Sequence, residues 1–177
     1  MKKQRFIMFN AVLPILLSGF AIAPNVAISE TTLIDLDTAS GAYSVWRQSG
    51  LTSRSVSFVA TFANTRIDEK WAPRYTIHLE DSDKNFVTFS VTYPPGYPPI
   101  AEATLSISGN KTILTPEPNL AMPVGDPCTV QLEWGDGSVK LTVNGNRQDY
   151  KVGFTPTQIE LSASTGELEV KNITFGK

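Results

Sequence analysis

Residues 128–145 read CTVQLEWGDGSVKLTVNG, and the alternation in this stretch decides the class of the whole chain. Cys128, Val130, Leu132 and Trp134 fall on one side, with Thr129, Gln131 and Glu133 on the other. After Gly135-Asp136-Gly137 the pattern resumes with Val139, Leu141 and Val143 against Lys140, Thr142 and Asn144. Successive side chains of a strand point to opposite faces, so the stretch is a β-hairpin with one buried face. It contains no set of residues that would perform chemistry.

Working outward, the same short alternating runs recur between clusters of Gly, Pro, Asn and Asp, and no helical period is sustained for three turns. The runs predict strands over Thr32–Asp37, Tyr43–Arg47, Arg54–Asn64, Tyr75–Glu80, Asn85–Tyr93, Ala101–Ser108 and Lys111–Leu114. Beyond the loop Thr115–Pro127, which carries four prolines, they continue over Cys128–Trp134, Ser138–Asn144, Gln148–Val152, Gln158–Ser164 and Glu167–Phe175. Eleven or twelve strands make an all-β, antiparallel two-sheet sandwich. Its apolar layer is supplied by Val56, Phe58, Ala60 and Phe62, by Tyr75, Ile77 and Leu79, by Val87, Phe89, Val91 and Tyr93, and by Ile159, Leu161 and Ala163. In the last strand Leu168 and Val170 keep one phase and Ile173 and Phe175 the other, which predicts a β-bulge at Lys171 and Asn172.

The start of the chain reads as a targeting device. Lys2, Lys3 and Arg5 precede an apolar run from Phe6 to Ala23, and no acidic residue comes before Glu30, the layout of a secretory signal peptide. Residues 1–29 are therefore expected to be removed, with the cut between about residues 23 and 29, leaving 30–177 as a single β-sandwich domain that is secreted or periplasmic. Pro14 and Asn10 make the run a poor membrane anchor beside the roughly 20 apolar residues a span requires, and no membrane insertion is expected after cleavage. The mature chain keeps 12 Lys and Arg against 17 Asp and Glu, a net charge of about −5. With its basic residues scattered singly, nucleic acid is not an expected partner. The single cysteine, Cys128, closes no internal disulfide; its apolar phase reads as a buried thiol.

Taken together, Val130-Gln-Leu-Glu-Trp134, the Gly135-Asp136-Gly137 turn, Val139 to Gly145 and the closing Gly166 to Phe175 run resemble the concanavalin A-like lectin and glucanase superfamily, the jelly-roll sandwiches that include laminin G-like domains. The hairpin Tyr75 to Tyr93, with a polar turn over Glu80-Asp-Ser-Asp-Lys-Asn85, is similar to one of that superfamily as well. The resemblance implies a concanavalin A-like jelly-roll β-sandwich. It specifies a fold more than an activity, because any such hairpin demands alternation and a turn of this composition. The catalytic branches carry a strand motif of Glu, one residue, Asp, then a second Glu two or three residues on, and this motif is absent here.

Candidate chemistry is correspondingly thin. Glu80, Asp81 and Asp83 have the wrong order for that motif and sit at a turn. Glu167 and Glu169 point the same way at a separation of roughly 7 Å, suited to an acid and base pair, but share their face with Lys171 as a solvated surface would. His78, the only histidine, points away from the apolar layer, so neither a triad nor a zinc site is assembled. Asp81, Asp83 and Asn85 have the spacing of the first ligands of a calcium loop, yet Phe86 replaces its glycine and Thr92 its closing Glu. A charged hairpin turn is the simpler reading, with a looser calcium site at Asp81 or Asp83 as the alternative, and no cofactor is otherwise expected. Asn110-Lys-Thr112 and Asn172-Ile-Thr174 are glycosylation sequons, which occur by chance and carry no meaning in a bacterial export.

Binding is the stronger expectation. The loop Tyr93-Pro-Pro-Gly-Tyr-Pro-Pro99 is stiff and amphipathic, and a tyrosine on such a loop stacks on a sugar or a protein at low entropic cost. Trp71 stands among turn residues and charges, beside Arg74, which has donors for a hydroxyl or a carboxylate. Trp71, Arg74, Tyr93 and Tyr97 are therefore the candidate ligand-binding residues, whereas Trp46 and Trp134 belong to the core or its rim. The sequence reads as an exported, noncatalytic, carbohydrate-binding module. A protein-binding or structural cell-envelope component is the first alternative, and a glycoside hydrolase-like enzyme with unidentified carboxylates the second.

Overall fold

The computed structural model describes residues 33–66, 68, 70–114 and 123–176; the expected signal peptide and most of the proline-rich loop lie outside them. Twelve strands are found among these residues: β1 (Ile34–Asp37), β2 (Tyr43–Ser49), β3 (Ser55–Thr65), β4 (Arg74–Glu80), β5 (Phe86–Thr92) and β6 (Ile100–Ile107). The chain continues through β7 (Asn110–Leu114), β8 (Cys128–Gly135), β9 (Ser138–Val143), β10 (Asn146–Lys151), β11 (Gln158–Ser164) and β12 (Gly166–Gly176). They form two antiparallel six-stranded sheets, ordered β1-β12-β3-β8-β9-β10 and β2-β11-β4-β5-β6-β7, called here the first and second sheet.

Three hairpins turn on two residues in the left-handed region: Ser108-Gly109, Asp136-Gly137 and Asn144-Gly145. A turn with positive φ at both central positions matches the twist of its strands, and Gly after a small polar residue adopts it at least cost each time. The registers then place the apolar phases of β3, β4, β5, β8, β9 and β11 inward. Val56, Phe58, Ala60 and Phe62 of β3 meet Leu132, Val130 and Cys128 of β8 laterally, and across the sandwich they face Tyr75, Ile77 and Leu79 of β4 and Val87, Phe89 and Val91 of β5, all buried. Trp134 is buried, and Trp46 packs against the core from a half-buried position.

The bulge expected in β12 is present. Lys171 pairs with Val59 and Thr174 with Ser57, so one residue of β12 is extra, Asn172 takes φ +57°, and Ile173 is brought against the core. A second irregularity, which the alternation did not announce, makes Ala63 extra where Glu167 and Leu168 pair with Asn64 and Phe62. Cys128 is buried and its Sγ accepts a hydrogen bond from Asn144 Nδ2 at 3.3 Å. Burial pushes the thiol pKa up and outweighs that hydrogen bond, so the sulfur is held as an unreactive thiol.

Candidate functional site

The outer face of the second sheet follows from its registers. Each strand that buries one phase presents the other, and the first outward row runs Tyr43, Ser164, Arg74, Thr92, Ile100 across β2, β11, β4, β5 and β6. At the spacing of neighbouring strands this row is about 19 Å long. The next rows are Val45, Ser162, Thr76, Ser90, Glu102 and then Arg47, Glu160, His78, Thr88, Thr104.

Three loops meet at the end of the sheet where β4 begins. The Asp68 carboxylate ties two of them: one oxygen accepts from the Ser40 hydroxyl at 2.9 Å and the other from the backbone N–H groups of Lys70 and Trp71. The Lys70 backbone bond and then the Ser40 bond lower the pKa of Asp68, so the clamp is held ionised. Its backbone also supports the fit, since Gly41 has φ +70° and a side chain there would meet Asp68 Oδ2 at 3.0 Å. The third loop is joined by Tyr93 N–H donating to Pro73 C=O at 2.8 Å. Each loop carries an exposed ring at or beside it: Tyr43 (65% exposed), Trp71 (54%) and Tyr97 (74%). Exposed Ile100 continues the group.

Arg74 stands inside this arc, donating to the Ser90 hydroxyl at 2.5 Å and to Glu102 at 3.4 Å, which spreads its guanidinium across β4, β5 and β6. Below the Tyr-Pro loop lies a cleft of about 400 Å³ between Tyr97, Pro95, Arg66 and Pro73. Three of the four residues expected from sequence, Trp71, Arg74 and Tyr97, are thus gathered at one exposed end. Tyr93 is not available there as an exposed ring. It is 6% exposed and stacks on Phe62 with centroids 4.7 Å apart, because the alternation of β5 continues one residue into the loop and carries the ring inward. Tyr43 and Asp68 were missed; the alternation of β2 had already put Tyr43 outward, whereas nothing local in the sequence marks Asp68 as a clamp between distant loops.

The other polar candidates are placed as follows. His78 faces outward, its Nδ1 2.8 Å from Thr88 Oγ1 and its Nε2 3.4 Å from Glu80 Oε2, with its ring against Phe86. Glu80 also accepts from Lys84 at 2.7 Å, and Glu160 pairs with Arg47 at 2.5 Å. Burial raises the pKa of Glu80, but the bonds from Lys84 and His78 and the charge of Lys84 outweigh it and leave the pKa lowered. A general acid for glycoside cleavage needs the opposite shift. On the first sheet Glu167 accepts from Asn64 and Glu169 from Lys171, opposite Asp37 and Asp35 of β1, on an outer face.

The β4–β5 turn uses up Asp81. Its carboxylate accepts from the backbone N–H groups of Asp83 and Asn85 and from Asn85 Nδ2, at 2.8–2.9 Å, so a calcium ion would compete with three bonds already made. Adding calcium, or a chelator, is expected to leave the thermal midpoint unchanged. A rise with calcium that Asp81→Ala abolishes would reverse this expectation.

Comparison with known proteins bears on the fold. No family model matches the chain, and no curated protein matches its sequence. Among solved structures, the apo Crh5 transglycosylase superposes with a TM-score of 0.58 at 12% identity, over 81% of this chain and 72% of that one. The homodimeric agglutinin CG-16 from chicken liver gives 0.53 at 11% identity, over 74% of this chain and 100% of its own. The carbohydrate-binding module CBM66 from Bacillus subtilis gives 0.52 at 11%, over 84% and 93%. The fold is the concanavalin A-like jelly roll. This jelly roll is shared by an agglutinin, a carbohydrate-binding module and a glycosidic hydrolase, and at such identities the likeness extends to the architecture alone.

Proposed function

We propose that this jelly roll is an exported, noncatalytic module that binds a glycan at the end of the second sheet where β4 begins. The observation that carries the reading is the arc of exposed rings, Tyr43, Trp71 and Tyr97, held by hydrogen-bonded loops around Arg74 and Glu102. Rings that stack on the apolar face of a sugar, beside donors and acceptors for its hydroxyls, are what such a ligand requires. The agglutinin and the carbohydrate-binding module that share the fold agree with that chemistry. Export rests on the basic start and the apolar run of residues 6–23; the intact mass of the protein recovered from the producing cell should correspond to a start between about residues 24 and 30, and a chain retaining Met1 would count against it.

Binding is tested on a glycan array followed by titration calorimetry with the best ligand. Trp71→Ala and Tyr97→Ala are each expected to weaken affinity by about 1–3 kcal/mol, the loss of one large aromatic contact, with the fold intact because both side chains are exposed. Tyr93→Phe should leave affinity unchanged. No reducing sugar should be released from the bound oligosaccharide. If both alanine variants bind as tightly as the parent, the site lies elsewhere. A null array together with capture of an envelope protein, lost in the same variants, would assign the arc to a protein partner instead.

A further inference from the structure

We propose a second, separate ligand site on the outer face of the first sheet, for a small molecule carrying both an ammonium and a carboxylate group, the size of an amino acid or dipeptide. A hollow of about 330 Å³ lies over the Asp136-Gly137 hairpin end of β8 and β9. Its cause is a difference in side-chain length. Gly135 and Ser138 are register partners and form a floor without bulk, whereas Arg54, Glu133, Asp136 and Lys140 stand around it.

The charges of the rim are of both signs and are not spent on one another. Glu133 pairs in register with Lys140, and Arg54 precedes Ser55, the register partner of Glu133 on the other side. Lys140 on β9 therefore stands about one strand spacing from Glu133 on β8, and Arg54, just before β3 and bonded through its C=O to Trp134 N–H, lines the same hollow. Among the described residues, none of Arg54, Glu133, Asp136 and Lys140 takes part in an ion pair; Glu133 accepts only from Gln131 Nε2 at 2.8 Å. A lone anion would face Glu133 and Asp136, and a lone cation would face Arg54 and Lys140. A ligand with both charges satisfies both sets. The Trp134 side chain is buried and offers no ring face for a sugar.

The walls are preformed. Trp134 N–H donates to Arg54 C=O at 2.8 Å, Arg54 N–H to Gly176 C=O at 3.0 Å, and Ser138 Oγ to Gly135 C=O at 2.9 Å. The hairpin tip is fixed from behind by Val152 and Gly153, whose N–H groups both donate to Gly137 C=O. The backbone beneath the site is thus fixed, and binding has only the rim side chains to order.

Glycylglycine is the probe, followed by amide chemical shifts in the full chain, beside its N-acetyl form, its C-terminal amide and the doubly blocked peptide. The free dipeptide is expected to shift the amides of residues 135–138 and to bind about tenfold more tightly than either singly blocked form, a difference of about 1.4 kcal/mol. Arg54→Gln should erase the preference for a free carboxylate. Gly135→Val fills the hollow, and since a Cβ there meets nothing within 4 Å, it should abolish binding without lowering the melting temperature. Equal binding of the doubly blocked peptide, undiminished binding to Gly135→Val, or no shift at about 10 mM dipeptide would each overturn the proposal.

Discussion

Replacing Phe62 with alanine is expected to destabilise the protein by about 3–5 kcal/mol, the largest cost of any single truncation proposed for this chain. Phe62 is fully buried, stacks on Tyr93 and lies 6.2 Å from the ring of Tyr75, so it joins the two sheets through an aromatic trio. The space for its ring exists because residue 166 is glycine: a Cβ there would stand 2.6 Å from Phe62 Cζ. The cavity left by alanine cannot collapse readily, since Phe62 C=O also accepts Gly125 N–H in a fixed loop. Urea unfolding would show the loss as a lower midpoint with the slope retained; a change below about 1 kcal/mol would mean that the trio does not carry the inter-sheet contact.

The same trio should make the protein fail in alkali. Burial pushes the Tyr75 phenol well above its ordinary value of 10.0, with the neighbouring Tyr93 and Cys128 adding to the shift, and burial then Cys128 push Tyr93 the same way. The folded state keeps both protons while the unfolded chain releases them above about pH 10, so above that pH the unfolded state binds fewer protons and stability falls as pH rises. Below pH 10 the contribution is present in full. Each phenol steepens the fall by about 1.4 kcal/mol per pH unit, and the pair by about 2.7. Denaturant midpoints at about pH 9 and about pH 11, compared with those of the Tyr75→Phe, Tyr93→Phe double variant, measure it. A parent and a double variant with equal alkaline slopes would show that these phenols are solvated.

The sandwich was legible in the sequence because alternation is a local property, and every inward phase it named in β3, β4, β5, β8, β9 and β11 is buried. The bulge at Asn172 was legible for the same reason, as a change of phase inside one strand. Tyr93 shows the limit: its phase in β5 pointed inward and its loop composition outward, and packing against Phe62 decided between them. The arc of rings was readable only in part. Trp71 and Tyr97 stand out by composition, whereas Tyr43 joins them through the registers of β2, β11 and β4, and Asp68 through a hydrogen bond to Ser40, 28 residues away in the chain. Such long-range pairings have no local signature. The hollow over Gly135 is of the same kind, since it depends on which side chains β9 and the residue before β3 bring beside a small one.

The strand order carries a consequence for the order of events in folding. In the first sheet β12 separates β1 from β3, and in the second β11 separates β2 from β4. β1 and β2 therefore wait for their one partner strand, and β3 and β4 for one of their two, until the stretch from Gln158 to Gly176 is made. The run β4 to β7, and β3 with β8 to β10, can pair without that wait. A chain emerging from the ribosome thus exposes unpaired edges and half-covered apolar faces until β11 and β12 are made, and then closes both sheets through contacts of large sequence separation, the slow class of folding reaction. Under the export proposed above, late closure keeps the chain in a form that can be threaded through a membrane.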